Sequence, residues 1–398
     1  MTRYFIEAAD VLFFKDGREI APGSEYTAAS IFPPNPGTVY GALRSSLLAL
    51  QENSDFSKDD FGISGTDTAK YAGQKNSKGD LVIKNFLLAR RDENKISPLF
   101  RLPLDVLNRK KPDYSRGEKD EIHMISIRTG SSVGIKSNMP LAHLQMPWIV
   151  HEEGSFFEHT PSFINEKHFY DYLKGEIGTS DDENSLASEL LGDNDSSTEP
   201  FVKEPRIGIG ISSETQTVEE GKLFTTPFIR LQKDIGFWIE LNLEDKQLPD
   251  RTKLRLGGDG KIAMLNAISE NPETDFDLEL KKKVQQASIL KLVLTTPVVF
   301  KNGWIPDGID LKTGEGKIND VTVKLLGSAI GKYQNMGGWN VAHNHPKATH
   351  RAVPAGSVYY VSVKEPSEAF EKIHKNSICM DLDNRKQGLG ITYLGVNK

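Results

Sequence analysis

The spacing of apolar positions changes several times along this chain, and each change marks an element. Residues 3–14, RYFIEAADVLFF, are rich in aromatic and branched side chains and are closed by DGREIAPGS, which predicts a strand followed by a turn. Prolines 33, 34 and 36 bar a helix ahead of them, and beyond them Val39, Leu43, Leu47 and Leu50 fall at helical spacing, so a helix starts near Thr38. Residues 51–80 are polar and dotted with glycine and read as a mobile loop, after which LVIKNFLLAR and SPLFRLPLDVL supply two strands. The order β, α, β, β is that of the opening of a ferredoxin-like unit. Residues 112–204 carry charge, Ser and Asn with little periodicity, and are expected to be an insertion with some helix, partly disordered around 176–200. From 205 strand signals return in PRIGIGI, KLFTTPFIRL, IGFWIELNL, KLRLG and ILKLVLTTPVVF, followed by a helix near 320–333 and by the strands SVYYVSV and GITYLGV. The expectation is an α+β chain with an N-terminal unit at 1–111, a polar insertion at 112–204 and a C-terminal unit at 205–398.

Composition narrows the classes. A chain of 398 residues with 37% apolar positions can bury two sizeable cores. One cysteine, Cys379, excludes an internal disulfide and a Cys-based zinc site, and points to a reducing compartment. The N-terminal stretch holds acids and lacks a cleavage pattern, and no run approaches membrane-spanning length, so a cytoplasmic protein is expected. The formal net charge of −6 speaks weakly against a nucleic-acid partner, but its origin is local. Residues 176–200 hold eight acids and no base, which leaves 49 bases against 47 acids elsewhere. Basic patches therefore remain available on the rest of the chain.

Several motifs carry candidate chemistry. RIGIGISSETQTVEEGKLF (206–224) fails as a dinucleotide fingerprint, since Ser213 stands where the third glycine belongs; its glycines serve either a tight hairpin or close approach to RNA. GSAIGKY (327–333) fails as a phosphate loop, having three residues between its glycines and Tyr333 in place of Ser or Thr, and reads as a helix ending at Gly331. LRLGGDGK (254–261) is a turn, and KKPDYSRGEKDE (110–121) is a solvated surface loop. HNHPKATHR (343–351) gathers three histidines with Lys347 and Arg351; histidine can act as acid, base or metal ligand, but the nearest carboxylates are remote in sequence, so donors to an RNA backbone are the favoured role. Trp339, after two glycines, either stacks on a base or packs on its own domain. Near the C-terminus, DNRKQGLGITYLG sets Arg385 and Lys386 beside Gly388 and Gly390, where cations would neutralise phosphate and glycines would let backbone amides approach it, or where the glycines would serve only a bulge or hairpin.

Taken together, ADVLFFKDGREI, SIFPPNPGTVYGALRSSLL, RIGIGISSETQTVEEGKLF, LRLGGDGK, RAVPAGSVYYV and RKQGLGITYLG resemble the Cmr subunit three family of the RAMP superfamily, and they run in the same order from residue 3 to 395. The resemblance implies two ferredoxin-like, RNA-recognition-type domains in a type III-B CRISPR effector subunit. It implies a position at the end of the complex that holds the 5′ handle of the CRISPR RNA, in contact with the Cas-ten-type large subunit and a Cmr backbone subunit, with no nuclease role, cofactor or metal. Residue chemistry within these segments and in the neighbouring 339–350 stretch nominates as RNA contacts Asn35, Thr38 and Arg44; Arg206, Gly208 and Gly210; Trp339, His345, Lys347, His350 and Arg351; and Arg385, Lys386, Gln387, Gly388 and Gly390. The alternative is a metal-independent RAMP-type endoribonuclease using His345 or His350 as acid or base.

Overall fold

The computed structural model describes residues 1–15, 30–50, 67–92, 95–110, 121–124, 156–159, 162–176, 199–212, 214–243, 248–268 and 276–397. Of the mobile loop expected at 51–80, residues 51–66 lie outside the described residues and Asp67–Ala72 form a short helix instead; most of the 112–204 insertion, 177–198 of the stretch expected to be partly disordered around 176–200, and 111–120 of the expected loop at 110–121 also lie outside them.

The described chain is mixed α/β with mostly antiparallel sheets. The first sheet has seven strands: β1 (Thr2–Ala8), β2 (Val82–Asp92), β3 (Lys95–Arg101), β7 (Phe163–Asn165), β10 (Ile235–Asn242), β11 (Arg251–Arg255) and β12 (Ile262–Ile268), in the order β11-β12-β1-β10-β2-β3-β7. β1 is an interior strand, with Phe5 opposite Trp238 on one side and Asn266 on the other. Its neighbours explain the nearly continuous apolar runs, because the sheet is covered on both faces. Tyr4, Ile6, Phe86, Leu88, Phe237 and Ile239 point into one core, while Phe5, Leu87, Ala89 and Trp238 point into another.

Helix α1 (Pro36–Ala49) closes the first of these cores. Asn35 caps it by accepting from the Gly37 amide at 2.9 Å, and Pro36 occupies the first turn, where its missing N–H goes unused. Val39, Leu43 and Leu47 are buried as the spacing predicts, each contributing about 1.5–3 kcal/mol relative to exposure. Leu50, the fourth of that series, is the C-cap and is exposed.

The second sheet has six strands, β13 (Ile289–Leu294), β14 (Glu315–Ile318), β15 (Val321–Ala329), β20 (Val358–Val363), β21 (Asn376–Ser377) and β22 (Ile391–Val396), ordered β14-β15-β20-β13-β22-β21. It shares a core with the second face of the first sheet, and the two are pinned by a buried 2.8 Å bond from Asn85 Nδ2 to Tyr393 Oη. Helices α3 (Glu166–Leu173), α4 (Phe276–Gln285) and α5 (Pro366–Ile373) pack on this side.

Two expectations are corrected here. The helix expected at 320–333 is strand β15: Val321, Val323 and Leu325 are buried at every second position, so the period is two, and Gly331 ends no helix. Strands β10 and β12, expected within the unit that begins at 205, instead satisfy the two hydrogen-bonding edges of β1, with β10 also pairing with β2 and β11 with β12.

A buried polar knot ties the halves. Asp105 accepts from Tyr172 Oη at 2.6 Å, Tyr360 Oη at 2.7 Å and Lys291 Nζ at 3.0 Å, with both ends of the ion pair at most 1% exposed. Three donors satisfy the carboxylate, which is the condition for burying such a charge.

Smaller elements complete the surface. A two-stranded ribbon is made of β8 (Phe201–Ile211) and β9 (Val218–Leu231). A three-stranded sheet joins β4 (Val106–Lys110), β5 (Glu121–Met124) and β6 (Phe156–Glu158). An extended double hairpin pairs β16 (Gln334–Met336) with β19 (His350–Ala352), and β17 (Trp339–Asn340) with β18 (His345–Pro346). Short helices α2 (Asp67–Ala72) and α6 (Leu382–Lys386) flank α1 and β22.

Candidate nucleic-acid interface

Three segments remote in sequence converge beside α1. Arg44 projects from the helix, and its guanidinium donates to the carbonyls of Gln74 at 3.0 Å and Ser77 at 3.4 Å, so it holds the 73–80 loop against α1. Its Nε is buried without a partner among the described residues. Lys78 in that loop pairs with Asp383 of α6 at 2.9 Å, and Lys386 donates to Gly79 O at 2.8 Å. The double hairpin arrives from the other side, with His343 Nε2 2.7 Å from Asn76 Oδ1.

Electrostatics shows how tightly these cations gather. Lys347 is exposed as a residue, but its ammonium is crowded by protein; that desolvation, then Lys78 and Arg44, push its pKa down. Burial likewise lowers Arg44, with Tyr40 and Asp383 acting against it, and burial raises Tyr40 to about 12. Arg44, Lys78, Lys347 and Lys386 thus face two neighbouring acids, Asp80 and Asp383. The double hairpin also carries an exposed aromatic, Trp339, 54% exposed on β17, and Arg351, whose guanidinium lies 4.6 Å from the ring centroid of exposed Tyr333. His345 Nδ1 lies 2.7 Å from Pro346 O, which fixes it as the donor, and His350 sits opposite Met336 on β19. Among the described residues no group of three or more His, Cys, Asp or Glu side chains could hold a metal ion.

The structure thus brings Arg44 of α1 and Lys347 close to Lys78, with Lys386 bound to the same loop, while Trp339, His345, His350 and Arg351 lie along the double hairpin that carries Lys347. Asn35 and Thr38 lie at the start of the same helix, where Asn35 is occupied as the cap. The C-terminal segment is placed differently from the expectation of open backbone. Gly388 and Gly390 are buried with φ of 79° and 72°, which favours glycine. A Cβ at Gly388 would lie 2.7 Å from Ile83 Cγ2, and one at Gly390 3.1 Å from Val298 Cγ2. Their backbone groups are used internally: Gly390 N donates to Pro297 O at 2.9 Å, Gly388 O accepts from Thr296 Oγ1 at 2.8 Å, and Gly390 O accepts from Ile378 N at 2.9 Å. Neither a bulge nor a hairpin is involved; the glycines turn the chain from α6 into β22. Gln387 is buried with its carboxamide against the start of α1, and Arg385 donates to Cys379 O at 3.0 Å and Asn319 Oδ1 at 2.8 Å, away from the cluster.

Arg206, Gly208 and Gly210 lie on the ribbon. Arg206 meets Glu204 at 2.6 Å and stacks 5.1 Å from the Phe228 centroid, while Arg230 bonds Glu204 at 2.6 Å and Asp10 at 3.2 Å, so much of its charge is already matched. Gly208 and Gly210 alternate with Ile207, Ile209 and Ile211, which are exposed on the opposite face of β8. The residues missed from sequence are Lys78, Asn76 and Tyr333. The only local signal was Lys75 and Lys78 within GQKNSKG, which resembles any polar loop.

The sequence model of a family described as CRISPR-associated protein (Cas_Cmr3) matches residues 4–396. No curated protein matches the sequence. Among solved structures, the chain is similar to one in the cryo-EM structure of the type III-B Cmr-beta bound to cognate target RNA and AMPPnP, state 1, with 14% identity, 90% of this chain and 86% of that chain covered, and a TM-score of 0.48. A chain in the type III-B Cmr-beta structure bound to cognate target RNA gives 15% identity, the same coverages and a TM-score of 0.47. One in the crystal structure of the Csm3-Csm4 subcomplex of the type III-A CRISPR-Cas interference complex gives 11% identity, coverages of 92% and 94%, and a TM-score of 0.37.

Proposed function

Because the chain belongs to the CRISPR-associated Cas_Cmr3 family, we propose that it is a non-catalytic RNA-binding subunit of a type III-B (Cmr) effector complex, holding the 5′ handle of the CRISPR RNA and docking the Cas-ten-type large subunit and a backbone subunit. The observation that carries this reading is the convergence of Arg44, Lys78, Lys347 and Lys386, with exposed Trp339 paired opposite Pro346 on the hairpin that carries Lys347. Cations meet phosphate and aromatic faces stack on unpaired bases, which is the chemistry a short single strand needs. Arg351, His345 and His350 add donors on the hairpin, and Asn35 and Thr38 border the site at the helix start. Arg206, Gly208 and Gly210 form a second contact on the ribbon.

Strand order supports two ferredoxin-like units. With β1, β2, β10 and β12 numbered one to four, the first sheet reads 4-1-3-2, and β13, β15, β20 and β22 read 2-3-1-4, the same arrangement. In this reading the first unit extends through 268, and the second, without its first crossover helix, begins near 276.

The test is fluorescence anisotropy of a short single-stranded RNA carrying the handle sequence of the cognate repeat, across salt. Each phosphate-contacting cation contributes about 0.7 to the slope of log K against log salt for single strands, so Lys347→Ala should weaken binding and flatten that slope by about this amount. Unchanged affinity and slope in Lys347→Ala and Trp339→Ala would refute the interface. A discrete cleavage product lost in His350→Ala would favour the endoribonuclease instead.

A further inference from the structure

A second cationic feature lies away from this interface. A cleft of about 480 Å³ opens where β2, the β14–β15 turn, the chain after α5 and helix α6 meet. Its floor is aliphatic, with Ile83, Ile318, Ile378 and Ile391 all at most 4% exposed. Three cations face it without a carboxylate partner among the described residues: Lys84, Lys317 and Arg385, the last held only by neutral oxygens. Lys372 and Lys375 also line it but are engaged by Glu368 at 2.8 Å and by Asp277. Met380 and Leu382, 57% and 69% exposed, form an apolar rim.

We propose that this cleft docks an acidic segment of a neighbouring protein subunit, which lays an aliphatic side chain against Met380 and Leu382 and offers carboxylates to Lys84, Lys317 and Arg385. Charge complementarity selects the occupant: these three cations are available, and their wall has an oily floor. A protein segment fits better than RNA because, among the described residues, no aromatic side chain lines the cleft, so a base would have no stacking surface. Exposed aliphatic residues at the mouth of a pocket are the usual anchor points of protein partners. The inference rests on the proposed membership of an effector complex and deepens it by assigning a docking face.

The experiment uses the complex reconstituted from the subunits encoded with this chain. Leu382 is replaced by p-benzoylphenylalanine, the complex is irradiated, and the adducts are mapped by mass spectrometry. The expected adduct is to another protein subunit, on a peptide rich in Asp or Glu. In parallel, Lys84→Glu with Lys317→Glu, and separately Leu382→Asp, should lower entry into the complex at least tenfold while the melting temperature and handle affinity of the isolated chain stay at parental values. Adducts to RNA alone, to a second copy of this chain, or to nothing would overturn the proposal, as would parental assembly by the variants. Failure of the unsubstituted chain both to bind handle RNA and to enter the complex would overturn the proposed function, and the docking site with it; RNA binding retained with adducts absent would overturn the docking site alone.

Discussion

Replacing Gly388 by alanine separates a packing role from an RNA role for the C-terminal glycine segment. At φ 79° an added Cβ forces the left-handed region, which costs about 1–2 kcal/mol for a non-glycine residue. The same Cβ would lie 2.7 Å from Ile83 Cγ2 and 3.0 Å from Ile83 Cβ, so β2 must shift, and overpacking of this kind costs about 1–3 kcal/mol. The expected loss is therefore about 2–5 kcal/mol, a large share of the about 5–15 kcal/mol that stabilises a typical fold. Gly390→Ala meets its nearest atoms at 3.1 and 3.3 Å and should lose less, close to the backbone cost alone. Gly41 supplies the control: it sits in α1, and among the described residues nothing lies within 4 Å of where its methyl group would be, so Gly41→Ala should stabilise by about 0.5–1 kcal/mol. Urea unfolding followed by tryptophan fluorescence gives the stabilities, and handle RNA anisotropy on the folded protein gives affinity. The packing account requires Gly388→Ala to lose more stability than Gly390→Ala, with affinity of the folded fraction unchanged in both. A Gly388→Ala protein with parental stability and lost RNA binding would refute it.

Further outcomes follow from the other buried groups. Lys291→Met should lose about 3–5 kcal/mol by leaving the Asp105 charge buried with only two tyrosine donors, and Lys291→Met with Asp105→Leu should recover part of that loss; equal stability of the single variant and the parent in urea would contradict the knot. Burial, resisted by Lys375 and abetted by Asp277, raises Glu166 to about 7, so its contribution to stability is present below its ordinary value near 4.5 and is lost as pH climbs through 7. Glu166→Gln, neutral throughout, should therefore melt higher than the parent at pH 8 and alike near pH 5; a constant difference in melting temperature between those pH values would disprove the assignment. Arg44→Ala should free the 73–80 loop, seen as faster amide exchange at Ser77 and Gly79, while exchange at α1 stays near parental.

Much of the fold is legible because its periodicities are local. The apolar runs at 81–90 and 235–243 announce strands, and Val39, Leu43 and Leu47 announce the face of α1. What misleads is competition between periods. VTVKLLGSAI offers both an alternation and a helical spacing, and pairing of β15 with β20 settles it, a partner the local sequence does not display. The destination of 235–268 is hidden for the same reason, since a strand's sequence states that it has two edges without stating whose. In the interface the histidine hairpin and Arg44 stand out by residue type, but loop 73–80 does not. Its value comes from Arg44 gripping two of its carbonyls, and carbonyls carry no sequence signature. RKQGLG stands out as cations and glycines near a chain end, yet these turn out to be bound to carbonyls and packed on Ile83 and Val298. Asp105 is one acid in a strand-like run, and only the arrival of Tyr172, Lys291 and Tyr360 makes it a centre.

The interior position of β1 also bears on how the protein is made. Its two partners, β10 and β12, begin at residues 235 and 262, so on the ribosome the first strand emerges long before either edge can be satisfied. At about 5–20 residues per second that interval is roughly 12–50 s. Throughout it Tyr4, Phe5 and Ile6 have neither sheet nor core, and an unpaired apolar strand is a template for wrong pairing. A nascent-chain binding factor would therefore find its target in β1, and chains stalled before β12 is released should be far more prone to aggregate than those that have released it.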